Sequence, residues 1–132
     1  MEKFNKLIEL VDIKNKIDIK RGDSKYMNIE WMLNQIVEEV NEVKNEVKEN
    51  NHIYLDDELA DILWAWLMLV EKTHFKGLSS DINTIVDKAF SKYSQRVLPL
   101  KGTQEDKTIW KNIKSIQKRR LEEEHRSRKC KE

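Results

Sequence analysis

The chain has little punctuation. Three Gly and one Pro are spread over 132 residues, too few for a turn-rich β fold and in keeping with long helices. Cys130 is the only cysteine, which excludes a disulfide framework and fits a reducing compartment. No apolar run approaches the roughly 20 residues of a membrane span. Met1 opens a charged stretch with Glu2 and Lys3, so no secretory leader is expected. A cytoplasmic protein with one domain over residues 1–132 is the expectation.

What the chain has in quantity is charge. Charged residues make up 37% and apolar residues 39%. That balance is polar for a lone globule and suits amphipathic helices that complete their core against another copy. The net charge of +1 hides an asymmetry: from Lys114 onward there are eight basic and four acidic residues. Without interleaved aromatics or a groove-reading motif, this tail reads as a solvated helix end, and no nucleic-acid partner is expected.

Five apolar-periodic segments follow one another. The first runs from about Lys3 to Lys20 with a stripe of Phe4, Leu7, Ile8 and Val11, and stops at Arg21-Gly22. The second starts near Asn28, a competent cap, and ends at Asn50-Asn51; Leu33, Ile36, Val40, Val43 and Val47 form its face. The third starts between Tyr54 and Asp57 and reaches about His74. Leu59, Ile62, Leu63, Trp66 and Leu69 make it the most apolar segment, and it is expected to be the most buried. Lys76-Gly77 ends it, and Ser79 or Ser80 can cap a fourth helix carrying Ile82, Ile85, Val86, Ala89, Phe90, Tyr93 and Val97. Pro99 breaks that helix. Thr103 and Asp106 then resemble a capping box ahead of Ile109, Trp110, Ile113 and Ile116. The expected fold is all-α, an antiparallel bundle of about five helices with its core completed by homo-oligomerisation.

Acidic residues sit at informative positions. Glu38, Glu39 and Glu42 lie on the second helix, Glu58 and Asp61 on the third. Residues three or four apart share a helix face, so Glu39 and Glu42 point together, as do Glu58 and Asp61. Consecutive helices joined by a short turn are antiparallel neighbours, which lets the two pairs meet. Glu58 falls on the stripe of Ile62, Ala65 and Leu69, and Asp61 at its edge. Carboxylates gathered beside a core repel one another and lose hydration. A hard divalent cation compensates, and Mg²⁺ suits a site that also takes phosphates. Glu46 and Glu49 read as a solvated face.

The ordered set Glu38-Glu39-Val40-Asn41-Glu42 and Glu58-Leu59-Ala60-Asp61 resembles the EExxE…ExxD signature of the MazG-like all-α nucleotide pyrophosphohydrolases, a superfamily that includes dimeric dUTPases and dCTPases. Lys88 to Arg96 resembles the basic segment that follows the second motif there. The resemblance spans about residues 28–97, an expected catalytic core, and leaves a basic helix and tail at about 104–132 outside it. Ala60 stands where Gly is common, and Tyr54 where some members carry a basic residue.

The resemblance implies a Mg²⁺-dependent enzyme, with Mn²⁺ possible, that hydrolyses (d)NTP to (d)NMP and pyrophosphate as a homodimer or homotetramer. Glu39, Glu42, Glu58 and Asp61 would ligate the metal. Glu38 would help bind a second ion or accept a proton from the attacking water. Lys92 and Arg96, with Lys88, would hold phosphate oxygens. Trp31, Trp64 and Trp66 are stacking candidates for the base, and Trp31 lies two turns before the first acidic motif. Two other readings stay open. One is a non-catalytic helical interaction module. The other is a di-iron bundle using Glu71-x-x-His74 and Glu122-x-x-His125.

Overall fold

A computed structural model describes residues 2–131, apart from the side chains of Cys130 and Lys131; the expectation for the Cys130 thiol therefore lies outside the described residues. Helices α1 (Glu2–Arg21), α2 (Ile29–Glu46), α3 (His52–Phe75), α4 (Ile82–Val97) and α5 (Asp106–Lys131) carry the fold. A 3-10 turn at Ser24–Met27 joins α1 to α2, and no strand occurs among the described residues. No described helix is long and apolar enough to cross a membrane. Contacts divide the chain into two compact units, 1–82 and 83–132.

In the first unit, α3 packs against both α2 and α1. Asn28 caps α2 as its sequence suggests: the side-chain oxygen accepts from the Trp31 N–H at 2.8 Å. The other end of α2 differs from expectation. It stops at Glu46, and residues 47–51 form the turn. Asn50 sits in the left-handed region at φ 54°, which Asn tolerates better than most residues. Asn51 then turns its amide back onto the Glu46 carbonyl and carboxylate, at 2.8 and 2.7 Å. These bonds satisfy an orphan carbonyl of α2 and let α3 begin at His52, ahead of the expected Tyr54–Asp57. The turn makes α2 and α3 antiparallel neighbours.

The core is smaller than the apolar periodicity implies. Val11, Met32, Leu67, Met68 and Val70 are buried, but Leu33, Val37 and Val40 on α2 and Leu59 and Leu63 on α3 are exposed. The first half of α3 is therefore not the buried segment it was expected to be; its burial is concentrated between Leu67 and Lys72. On α1, the stripe of Phe4, Leu7, Ile8 and Val11 continues into polar Asn15 and Asp18, both buried. Across from them Lys72 is wholly buried, its ammonium donating to Asn15 Oδ1 and to Met27 Sδ, 3.7 Å from Asp18 Oδ2. Burial lowers the Lys72 pKa, and Asp18 opposes that shift.

Gly77 ends α3 with φ 75°, and the Leu78 N–H reaches the Thr73 carbonyl at 2.9 Å, the left-handed cap that glycine adopts without steric cost. Neither Ser79 nor Ser80 caps α4, which begins at Ile82. The Ser79 hydroxyl instead pairs with Thr73 Oγ1 at 2.7 Å.

In the second unit, Gln117 on α5 is bonded to three groups of α4, and the Tyr93 and Trp110 rings lie 6.2 Å apart. The expected capping box is not the one found, because α5 begins at Asp106 itself and not just after Thr103. The Asp106 carboxylate accepts from the Lys101 and Gly102 N–H groups at 2.8 Å, which holds its pKa below the usual value. Phe90, Tyr93 and Val97 on α4 are exposed. Residues 121–129 of α5 are exposed throughout, as a solvated helix end should be.

Candidate active site

The α2–α3 hairpin gathers Glu39, Glu42, Glu58 and Asp61. One carboxylate oxygen from each lies within 4.8 Å of the others. Oxygens on a single octahedral Mg²⁺ stand about 3 Å apart when adjacent and about 4 Å when opposite, so small side-chain shifts would bring all four around one cation. Glu39 and Glu58 are half-buried, while Glu42 and Asp61 are exposed at the rim.

The electrostatics are unfavourable for four charges standing alone. Oε2 of Glu39 and Oε2 of Glu58 are buried and have no hydrogen-bond partner among the described residues. Loss of hydration is the main cause that pushes Glu39 up to about 7, followed by Glu42, Asp61 and Glu58 beside it. Glu58 is raised for the same reason, with Glu42 and Asp61 adding to the effect. Buried acceptors without donors cost free energy. A hard cation removes both the orphaned oxygens and the repulsion, so the donor set fits a divalent metal. Glu38 is exposed and lies outside the four-carboxylate group.

Beside the carboxylates is a cavity of about 320 Å³. Glu39 and Asp61 line it together with Trp31, Trp64, Tyr26, Met32, Ala65 and Met68, and with the polar Lys14, Asp18 and Gln35. Trp31 meets Tyr26 edge-to-face, with centroids 5.2 Å apart, and the Lys25 ammonium lies 5.0 Å over the indole. Trp31 and Trp64 thus share a cavity with two of the carboxylates; Trp66 is half-buried and does not line it. Helix periodicity alone did not single out Asp18, Asn15 and Lys72. The available signal was polar residues at 15 and 18 continuing the stripe that ends at Val11.

Lys88, Lys92 and Arg96 belong to the second unit. Exposure falls along that row, from an exposed Lys88 through a half-buried Lys92 to a buried Arg96. They line a groove of about 440 Å³ with Lys114, Lys118 and Arg120 of α5. The Arg96 guanidinium lies over the Tyr93 and Trp110 rings at 5.4 and 5.3 Å and donates from Nε to Gln117 at 2.8 Å. Its terminal nitrogens have no protein acceptor among the described residues.

The histidines do not join the acidic cluster. His74 Nδ1 is 3.1 Å from the Ser79 carbonyl, and His125 is exposed. The metal-competent group among the described residues contains carboxylates alone, which removes the geometric basis for a di-iron site.

A family model for the MazG nucleotide pyrophosphohydrolase domain matches residues 27–98, just over half of the chain. That span holds α2, α3 and α4 with both acidic motifs and the basic row. No match was found among curated proteins or among solved structures. With the acidic hairpin and the family match in agreement, the chain belongs to the MazG nucleotide pyrophosphohydrolase family.

Proposed function

We propose that the protein is a Mg²⁺-dependent hydrolase that cleaves (d)NTP between the α and β phosphates, releasing (d)NMP and pyrophosphate. The observation that carries this reading is the convergence of Glu39, Glu42, Glu58 and Asp61, two of them with a buried oxygen that no protein donor satisfies. These four residues hold the metal; Mn²⁺, with the same preference for oxygen ligands, substitutes. When bound, the metal neutralises phosphate charge and lowers the pKa of a coordinated water.

The chain's own residues supply the rest. Glu38, one position before the cluster and exposed, accepts the proton of the attacking water or contributes to a second ion site. Lys88, Lys92 and Arg96 hold phosphate oxygens, Arg96 with a guanidinium already fixed by its neighbours. Trp31, with Trp64, packs on the base within the cavity. The exposed apolar side chains of α2 and α3, among them Leu33, Val37, Val40, Leu59 and Leu63, are covered by another copy in a homodimer or homotetramer. The setting is cytoplasmic, and the whole chain acts as one catalytic domain.

The test is pyrophosphate release from a panel of NTPs and dNTPs with Mg²⁺, for wild type and for Glu39→Gln and Glu58→Gln. Both variants should fold and lose Mg²⁺-dependent release by at least about a hundredfold, the scale of a lost electrostatic contact in a transition state. Retained activity in either would refute the assignment.

A further inference from the structure

Helix α1, which lies outside the span matched by the family model, contributes the polar Lys14 and Asp18 to the lining of the cavity beside the carboxylates. Asp18 is the central group there. It is buried, yet it lines the cavity. Its Oδ1 is taken by Lys14 and by Arg21 Nη2, the latter at 2.8 Å. Among the described residues its Oδ2 has only Lys72 Nζ, at 3.7 Å, too far for a hydrogen bond. One acceptor oxygen is therefore held in place by three surrounding cations and remains available. Gln35 also lines the cavity and makes no side-chain hydrogen bond among the described residues. Trp31, Trp64 and Met68 line the same cavity as Glu39 and Asp61. The lining thus combines a polar group that can read a base edge, aromatic and apolar walls, and carboxylates suited to a cation and the phosphates that accompany it.

We propose that Asp18 is a specificity-determining residue that accepts a hydrogen bond from the amino group of a nucleobase, so that the cavity prefers amino-bearing bases over uracil and thymine. This rests on the nucleotide reading of the same site. Cytosine and adenine present an exocyclic N–H₂ donor where thymine, like uracil, presents a carbonyl acceptor. An acceptor facing the fixed Asp18 oxygen gains no bond and is repelled. A site built around a buried hydrogen-bonding group discriminates strongly against the analogue that cannot pair with it. Lys14, half-buried beside Asp18, offers a donor to the neighbouring ring nitrogen or carbonyl.

Calorimetric titration of the full chain with dCMP and dUMP in Mg²⁺ tests this without relying on turnover. The expected result is dCMP binding about tenfold or more tightly, the worth of a hydrogen bond to a charged group. N4,N4-dimethyl-dCMP, which keeps the ring and removes both donors, should bind as weakly as dUMP. Asp18→Asn should bring the dCMP to dUMP ratio close to one. Equal affinity of wild type for dCMP and dUMP overturns the proposal, as does undiminished binding of the dimethyl analogue; neither measurement depends on a variant that must fold. Pyrophosphate release separates the two claims. No cleavage of any triphosphate alongside an intact dCMP preference defeats the catalytic reading alone. Cleavage of dCTP and dUTP with equal kcat/KM defeats the base reading alone.

Discussion

Arg96 on α4 donates through Nε to Gln117 Oε1 on α5 at 2.8 Å, and Gln117 is itself tied by Nε2 to the Lys92 carbonyl and Gln95 Oε1, each at 3.0 Å. Gln117 thus orients a guanidinium whose terminal nitrogens have no protein acceptor among the described residues. Replacing it by Leu leaves Nε buried without an acceptor, which costs about 1–3 kcal/mol and is measurable by urea unfolding. If Arg96 holds substrate phosphate, Gln117→Leu should raise KM several-fold while kcat changes little. An unchanged KM would place Arg96 outside the phosphate contacts.

The raised pKa of Glu39, about 7, and the raised pKa of Glu58 set a pH dependence. A carboxyl whose folded pKa lies above its unfolded value favours the fold fully below that unfolded value, near 4.5. The contribution disappears as pH rises through about 7. In chelator, these two groups should therefore disfavour the fold progressively from pH 5 to pH 8. Mg²⁺ prefers the ionised form, so its effect on the melting temperature should grow over the same range. A Mg²⁺ increment that is flat with pH would contradict the shared site.

Glu39→Gln should separate stability from function. The neutral amide removes a repulsive charge from the cluster, so the variant should melt higher than wild type in chelator. It should also lose most of the Mg²⁺-induced rise. A variant that melts lower in chelator and still responds fully to Mg²⁺ would mean that the carboxylates do not act together.

Lys72 is the buried cation of the α1–α3 contact, touching Asn15, Met27 and Asp18. Lys72→Met removes the charge and leaves Asp18 with Lys14 and Arg21. Breaking a buried pair costs about 3–5 kcal/mol, and the two remaining cations place this case at about 3. Denaturant unfolding would measure it. A change within a few tenths would show that the ammonium contributes little to holding α1 against α3.

Much of the hairpin was legible in the sequence because local rules govern it. Asn28 caps α2, and the spacing of Glu39, Glu42, Glu58 and Asp61 puts each pair on one face. The boundary between α2 and α3 was not legible, because it depends on Asn51 folding back onto Glu46 and on a left-handed Asn50. Val47 continues the apolar repeat and is nevertheless exposed beyond the helix end. The Lys72–Asn15–Asp18 group was missed because burial of a lysine is decided by partners distant in sequence. Leu59 and Leu63 fit the period of a buried face, but periodicity does not say what will cover it.

Every carboxylate of the cluster comes from one pair of helices joined by residues 47–51. Such a motif closes through contacts near in sequence, which is the kinetically cheap kind. The stretch from Asn28 to Phe75 therefore carries all four carboxylates on one continuous segment, so the cluster can assemble as soon as those two helices pair.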